Sequence, residues 1–185
     1  LCGGFSKEET ENLLIDLNFL GIENVVALRG DQAKHESYFT PHREGNAFAI
    51  DLVRQIKDLN QGNYLDEDLQ NTMSTNFCIG VAGYPEKHFE APSLNTDIEH
   101  LKAKVEAGAD YIVTQLFFDN SKYFAFVDKC RAAGITVPII PGLKPLSTKR
   151  QLSILPQIFH VDIPDELVIQ AIQCKENAQV KQLGI

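Results

Sequence analysis

Short, nearly unbroken apolar runs alternate along the chain with longer segments in which apolar residues recur every three or four positions. The runs predict strands at Val25–Leu28, Phe77–Ala82, Tyr111–Phe117 and Val137–Ile140. An apolar run without polar–apolar alternation is typical of a parallel strand that is covered on both faces. The pattern therefore predicts a parallel sheet with helices packed against it.

The segments between these runs carry helix signals. Ser6 and Glu9 have the spacing of a capping box ahead of the first helix, and Gly21 follows as a stop signal. Further helices are predicted at Ala47–Leu59 and Asp97–Ala107, after a cap at Asn120, near Ser147 and from about Pro164.

The alternation of strands and helices predicts an α/β protein. Two architectures fit the pattern: a part of a (β/α)8 barrel, or a doubly wound open sheet. No G-x-G-x-x-G motif follows a strand, which weakens the dinucleotide-binding form of the open sheet. Because the length suits one domain with a real core, we predict a single domain over residues 1–185.

Polar residues collect where the predicted strands end, which is where a βα barrel carries its chemistry. The first strand ends in R-G-D at residues 29–31, the second runs into Y-P-E-K-H at residues 84–88, and the fourth ends in P-G at residues 141–142. Gln115 interrupts the apolar run of the third strand. A buried amide needs hydrogen-bond partners, and a ligand can supply them.

Each candidate also has a plain structural explanation, and the residues alone leave both open. Asp97, His100 and Lys104 form a stripe beside the apolar face of their helix, where side chains can turn toward a ligand. The structural alternatives are a turn residue for Asp31, an ion pair for Arg29, a loop histidine for His88, a helix-start charge for Asp97 and a solvated lysine for Lys104.

The charge of the chain excludes some classes of partner. The formal net charge of −8 argues against nucleic acid or an anionic membrane as a partner, because both require a basic surface. No apolar run is long enough to span a bilayer.

Four scattered cysteines without a C-x-x-C pair indicate free thiols in a reducing cytoplasm and no metal site. A start at Leu1, with Met73 as the only methionine, suggests a piece of a longer protein.

Four stretches in register resemble the 5,10-methylenetetrahydrofolate reductases. They are A-L-R-G-D, V-A-G-Y-P-E-K-H, K-V-E-A-G-A-D-Y-I-V-T-Q-L-F-F-D and P-I-I-P-G-L-K-P-L, and the agreement extends from about Leu1 to Pro164. The resemblance implies a (β/α)8 TIM barrel with FAD at the carboxyl ends of its strands. It also implies that this chain is an incomplete barrel, which lacks the first strands, with their general-acid glutamate, and the last strand.

The implied reaction is the FAD-dependent reduction of 5,10-methylenetetrahydrofolate to 5-methyltetrahydrofolate, a step toward methionine. NADH or NADPH would give a hydride to the flavin and leave before the folate takes that hydride, which is a ping-pong order. The parent protein is expected to be a homo-oligomer.

The resemblance also implies roles for single residues. The catalytic positions are Asp31 and Gln115, and the substrate-binding positions are Asp31, Gln115, Gln151 and Leu155. The FAD-binding positions are Arg29, Gly30, Asp31, Ala49, Tyr84, His88, Ala91, Asp97 and Lys104. An aspartate at position 31, near flavin N1, would disfavour the anionic reduced flavin. His88 and Lys104 would offset the pyrophosphate charge.

Three residues depart from the family pattern. His100 and Ala103 stand where some relatives have asparagine and arginine, and Leu155 stands where some have a phenylalanine that stacks on the substrate. Two other functions remain open. One is an inactive truncated barrel that does not bind FAD. The other is a phosphate-binding aldolase or synthase, although its phosphate site needs a glycine-rich loop and P-G-L-K-P-L-S has one glycine.

Overall fold

The structure is a computed structural model that describes residues 1–32 and 39–184. Strands and helices alternate along most of these residues, as the apolar pattern predicts, and the last three helices follow one another. The strands are β1 (Asn24–Ala27), β2 (Cys78–Gly83), β3 (Tyr111–Thr114) and β4 (Ile139–Ile140). The helices are α1 (Lys7–Phe19), α2 (Ala49–Asn60), α3 (Leu94–Glu106), α4 (Asn120–Ala132), α5 (Gln151–Phe159), α6 (Asp165–Gln173) and α7 (Asn177–Leu183).

The four strands form one sheet in the order β1-β2-β3-β4. β1 and β2 are parallel, with Asn24 opposite Cys78 and Ala27 opposite Val81. Backbone hydrogen bonds between β2 and β3 advance together along both strands, from Asp110 N to Ile79 O and then from Gln115 N to Gly83 O. The parallel sheet is therefore confirmed in its sequential order.

Two strands are shorter than predicted, and their own residues explain why. Pro138 and Pro141 flank β4 and have no N–H to give to a neighbouring strand, so only two residues pair. β3 ends at Thr114 because the Gln115 side chain takes over the next donor: its Oε1 accepts the Leu116 N–H at 2.9 Å. The prediction that β3 runs to Phe117 was therefore wrong.

One predicted helix cap is confirmed by the structure, and another is wrong. Ser6 and Glu9 form the predicted capping box, with Ser6 N bonded to Glu9 Oε2 at 2.8 Å and Glu9 N to Ser6 Oγ at 3.1 Å. α4 is capped by Asp119 and not by Asn120, because the Asp119 carboxylate accepts the Ser121 N–H at 2.8 Å. α7 was not predicted from the sequence pattern.

The chain divides into two compact units. The first contains Leu1–Ala82 and Leu101–Ile112, and the second contains Gly83–His100 and Val113–Ile185. The core of the first unit includes the buried face of α2 (Leu52, Val53, Ile56 and Leu59) together with Ile79, Val81 and Ile112. One core cluster of the second unit consists of Leu146, Leu155, Ala171 and Val180.

A glycine within β2 leaves room for an aromatic ring of β3. A Cβ atom at Gly80 would lie 2.4 Å from Cζ of Tyr111, well inside contact distance. The ring therefore packs directly on the β2 backbone, and burial raises the pKa of the Tyr111 phenol. Within the described ranges, no helix combines the length and the apolar character needed to cross a lipid bilayer.

Candidate functional site

The R-G-D segment at the end of β1 lies in the first unit and is held by the start of the chain. Cys2 N donates to Leu28 O at 3.0 Å, and Gly3 N donates to Arg29 O at 3.1 Å. The Arg29 guanidinium carbon lies 4.8 Å from the centre of the Phe39 ring, within the range of a cation–π contact. The backbone of this segment is thus fixed, and Arg29 is half-buried.

The next two residues of the segment differ in what holds them. Gly30 has a φ of 91°, a conformation that residues with a Cβ rarely adopt. Asp31 is exposed. An exposed carboxylate beside a glycine turn is accessible to a ligand, so the geometry allows the predicted role of Asp31 without requiring it.

Two further predicted residues of the first unit lie on helices. Ala49 is the first residue of α2 and is half-buried. Lys104, in the last turn of α3, donates from Nζ to the carbonyl oxygen of Ala82 at 2.8 Å. Lys104 is therefore not a solvated lysine: its ammonium is anchored at the end of β2, where it adds a fixed positive charge.

The loop after β2 lies in the second unit and brings four predicted residues together. His88 N donates to Asp97 Oδ2 at 2.9 Å, and Ala91 N donates to His88 O at 3.0 Å. The His88 ring lies edge-on to Tyr84, with ring centres 4.7 Å apart. Asp97 therefore does more than charge the start of α3, because it also fixes the backbone of His88.

An ion-pair cluster with a buried carboxylate at its centre fastens the same loop. The Glu86 side chain is 9% exposed, and its Oε2 accepts from Lys122 Nζ at 2.8 Å and from Asp162 N at 3.0 Å. Lys122 also pairs with Asp162 Oδ2 at 2.5 Å. Burial disfavours the charge on Lys122, but the hydrogen bonds to Asp162 and Glu86 outweigh it and raise the pKa of Lys122. No local sequence pattern indicates this cluster, because its members lie up to 76 residues apart.

Gln115 follows β3, in the second unit, with half of its amide engaged. Its Oε1 accepts the Leu116 N–H, and its backbone N donates to Gly83 O at 2.8 Å. Its Nε2 has no hydrogen-bond partner among the residues that the structure describes. The Gln115 side chain therefore keeps its Nε2 amide group available to donate to an acceptor on a ligand.

The two residues of α5 that were predicted to bind substrate, Gln151 and Leu155, both stabilise the fold. Gln151 Oε1 accepts from Ser147 N at 2.6 Å and from Thr148 N at 2.9 Å, so this side chain closes the start of its own helix. That closure explains why the helix predicted near Ser147 begins at Gln151. Leu155 is 3% exposed and belongs to the core cluster of the second unit. The substrate-binding roles of both residues stay predictions.

The first unit contains two cationic side chains among the predicted residues, Arg29 and Lys104, and the second unit contains His88. Each is of a type that can donate hydrogen bonds to phosphate oxygens. Over the described part of the chain, no group of three or more histidine, cysteine, aspartate or glutamate residues is arranged to hold a metal ion. The four cysteines are free.

Two cavities of this structure contain none of the predicted residues. One, of about 430 Å³, belongs to the first unit and is lined by residues of α1, of α2 and of the segments at 45–47 and 63–65. The other, of about 450 Å³, belongs to the second unit and is lined by residues of α4, α5 and α6 and by Asp162. The predicted residues lie instead on the loops after the strands and on the adjoining helices.

Comparison with known proteins gives consistent results over the whole chain. The family model described as methylenetetrahydrofolate reductase matches residues 1–185. Methylenetetrahydrofolate reductase 1 of Schizosaccharomyces pombe is 37% identical over 185 residues, which are 100% of this chain and 28% of that protein. Methylenetetrahydrofolate reductase (NADH) 1 of Arabidopsis thaliana is 38% identical over 194 residues, covering 100% of this chain and 31% of that protein.

A third relative is named for the other nicotinamide donor. The probable methylenetetrahydrofolate reductase (NADPH) of Caenorhabditis elegans is 34% identical over 167 residues, covering 90% of this chain and 23% of that protein. The chain therefore spans less than a third of the length of these curated relatives.

A solved structure supports the fold. It is a protein from Clostridium thermocellum, described as binding two copies of 5-methyl-5,6,7,8-tetrahydrofolic acid, with a TM-score of 0.56 and 15% identity. The match covers 98% of this chain and 56% of that one. At this identity the likeness concerns the fold alone. Together with the family match, it confirms the predicted fold class, an incomplete (β/α)8 barrel.

Proposed function

Because this chain belongs to the methylenetetrahydrofolate reductase family, we propose that it is part of the FAD-binding catalytic barrel of such a reductase. The reaction is the reduction of 5,10-methylenetetrahydrofolate to 5-methyltetrahydrofolate with NADH or NADPH. The observation that carries the proposal is the placement of the family's polar residues: Arg29 to Asp31 follow β1, Tyr84 to His88 follow β2, and Gln115 follows β3. The carboxyl ends of the strands are where a βα barrel does its chemistry.

The chemistry that FAD supplies when bound is acceptance of a hydride from NADH or NADPH and donation of a hydride to the folate, in ping-pong order. The protein contributes binding, orientation and charge. In the first unit, Arg29 and Lys104 carry positive charge for the phosphates, while Gly30 and Ala49 allow close approach of a flat ring. In the second unit, the hydrogen-bonded loop after β2 supplies further contacts to FAD, through Tyr84, His88, Ala91 and Asp97.

Asp31 and Gln115 are the residues that we assign to the reaction itself. The exposed Asp31 carboxylate would disfavour negative charge on a reduced flavin bound beside it and would so tune the flavin potential. Gln115 offers its Nε2 donor to the folate and to the nicotinamide in turn. Gln151 and Leu155 contribute on the substrate side, where Leu155 supplies apolar contact without aromatic stacking.

The test is a visible absorption spectrum of the gene product at its full natural length and of the 185-residue chain, each titrated with FAD. We expect the full-length protein to be yellow, to bleach anaerobically with NADH or NADPH, and to regain its colour when methylenetetrahydrofolate is added. Asp31→Asn should slow reoxidation by the folate more than it slows bleaching. The matched control is Asp128→Asn, an exposed aspartate on α4.

The same spectra test the main alternative. If the full-length protein binds flavin and the 185-residue chain stays colourless, the chain is an inactive piece of an active enzyme. If the full-length protein takes up no flavin and reduces no folate, the proposed function is wrong.

A further inference from the structure

The loop after β2 contains a lysine in a backbone conformation that lysine disfavours. Lys87 has a φ of 83°, in the left-handed region that L-residues with a Cβ rarely occupy. It lies between Glu86, which is fastened by Lys122, and His88, which is fastened by Asp97. A strained residue between two fixed neighbours persists only when the surrounding contacts outweigh the strain.

Those contacts come from the side chain of Lys87 itself. Its Nζ donates to three backbone carbonyl oxygens of its own loop: His88 O at 2.9 Å, Phe89 O at 3.3 Å and Ala91 O at 2.6 Å. An ammonium has three N–H donors. The three carbonyls therefore use its full donor capacity, and the side chain closes the loop onto itself.

This closure determines where His88 lies. The His88 carbonyl accepts from both Lys87 Nζ and Ala91 N, while its N–H is held by Asp97. Its ring is packed between Tyr84, edge-on at 4.7 Å, and Phe89, stacked at 4.8 Å. The Lys87 ammonium is thus the central support of the turn that carries Tyr84 and His88, the two side chains of the turn that we assign to FAD.

We infer that Lys87 is a positioning residue for FAD binding: its ammonium, bonded to three loop carbonyls, sets Tyr84 and His88 without touching the cofactor. The inference rests on the proposed function. A lysine next to a phosphate-binding histidine would ordinarily be assigned to the phosphate as well. Here its donors are already occupied, so removing it should disturb the loop and not remove a phosphate contact.

The test uses the full-length gene product and two substitutions. Lys87→Met removes the ammonium and keeps a long side chain, whereas Lys87→Gly removes the ammonium and also the conformational strain. Lys102→Met is the matched control, since Lys102 is a half-buried lysine of α3 whose Nζ lies 3.8 Å from Glu106 Oε1 on the same helix. The measurements are the Kd for FAD at several salt concentrations, the flavin spectrum, and kcat at saturating FAD.

We expect Lys87→Met to raise the Kd for FAD about tenfold, which corresponds to about 1.4 kcal/mol. Lys87→Gly should weaken FAD binding as well, since glycine relieves the strain but supplies no ammonium. The salt dependence of the Kd should match the wild type, because no charge that meets the phosphates is lost. kcat at saturating FAD should stay close to the wild-type value, and Lys102→Met should change nothing.

Each other result has a definite meaning. If the wild type binds FAD and both Lys87 variants bind it equally well, the inference is wrong and the proposed function stands. If Lys87→Met also loses salt dependence, Lys87 contacts the phosphates directly and the inference is wrong. If Lys87→Met does not fold, the Lys87→Gly result decides by the same criteria. If the wild type binds no FAD, the proposed function fails, and the inference fails with it.

Discussion

Replacing Gly142 with alanine tests how closely the chain passes over the end of β3. A Cβ at this position would lie 2.0 Å from the carbonyl oxygen of Thr114 and 3.1 Å from its carbonyl carbon. Both obstacles are backbone atoms, so no side chain can rotate away. Relief to a tolerable 3.0 Å contact requires the two segments to separate by about 1 Å.

That separation also breaks a hydrogen bond. Gly142 N donates to Thr114 Oγ1 at 3.0 Å, and Thr114 is 4% exposed. Losing the bond costs about 1 kcal/mol, and overpacking adds about 1–3 kcal/mol, so Gly142→Ala should lower the free energy of unfolding by about 3 kcal/mol. With a urea m-value of about 2–3 kcal/mol/M for a chain of this size, the midpoint should fall by about 1 M or slightly more.

The assay is urea unfolding followed by circular dichroism, with Gly134→Ala as the control. Gly134 has a φ of 87° and nothing within 4 Å of its added Cβ, so alanine there costs only the conformational strain, about 1 kcal/mol. Equal midpoints for the two variants would show that the close approach at Gly142 is not a steric constraint.

Two further predictions concern ionisable groups. The backbone hydrogen bond from Ser6 lowers the pKa of Glu9 below its ordinary 4.5, so the stability from ionised Glu9 is complete above pH 4.5 and is lost as the pH falls through the lowered pKa. Glu9→Gln should therefore flatten the acid limb of a stability–pH curve, and an unchanged limb would contradict this. Burial raises the pKa of the Cys130 thiol to about 11, so little reactive thiolate forms at pH 8. Iodoacetamide at pH 8 should therefore alkylate the half-buried Cys174 first and Cys130 only after urea is added. Peptide mass spectrometry measures the labelling of each cysteine. Rapid labelling of Cys130 in the folded chain would show that its burial is transient.

The sequence predicted those features that depend on local periodicity and on single strong motifs. The apolar runs located all four strands, and the spacing of Ser6 and Glu9 located the first helix cap. The alternation of strands and helices indicated a parallel α/β sheet, because each run lacked polar alternation. Because these signals are local, the features that depend on them can be predicted without knowledge of tertiary contacts.

The features that the sequence missed arise where a side chain replaces a backbone partner. Gln115 ends β3 by accepting the Leu116 N–H, and Gln151 delays the start of α5 by accepting two N–H groups. Asp119 caps α4 although Asn120 has an equally suitable side chain. The closure of the loop by Lys87 was invisible for the same reason, because a lysine in a polar stretch has no pattern that distinguishes it from a solvated one.

The packing of Tyr111 against Gly80 constrains how this part of the protein can change over evolutionary time. A methyl group at position 80 would lie 2.4 Å from the tyrosine ring, so any side chain there requires the ring at position 111 to move or to be replaced. A lineage that gains alanine at position 80 should therefore also change at position 111, and the two positions should vary together among descendants of this sequence.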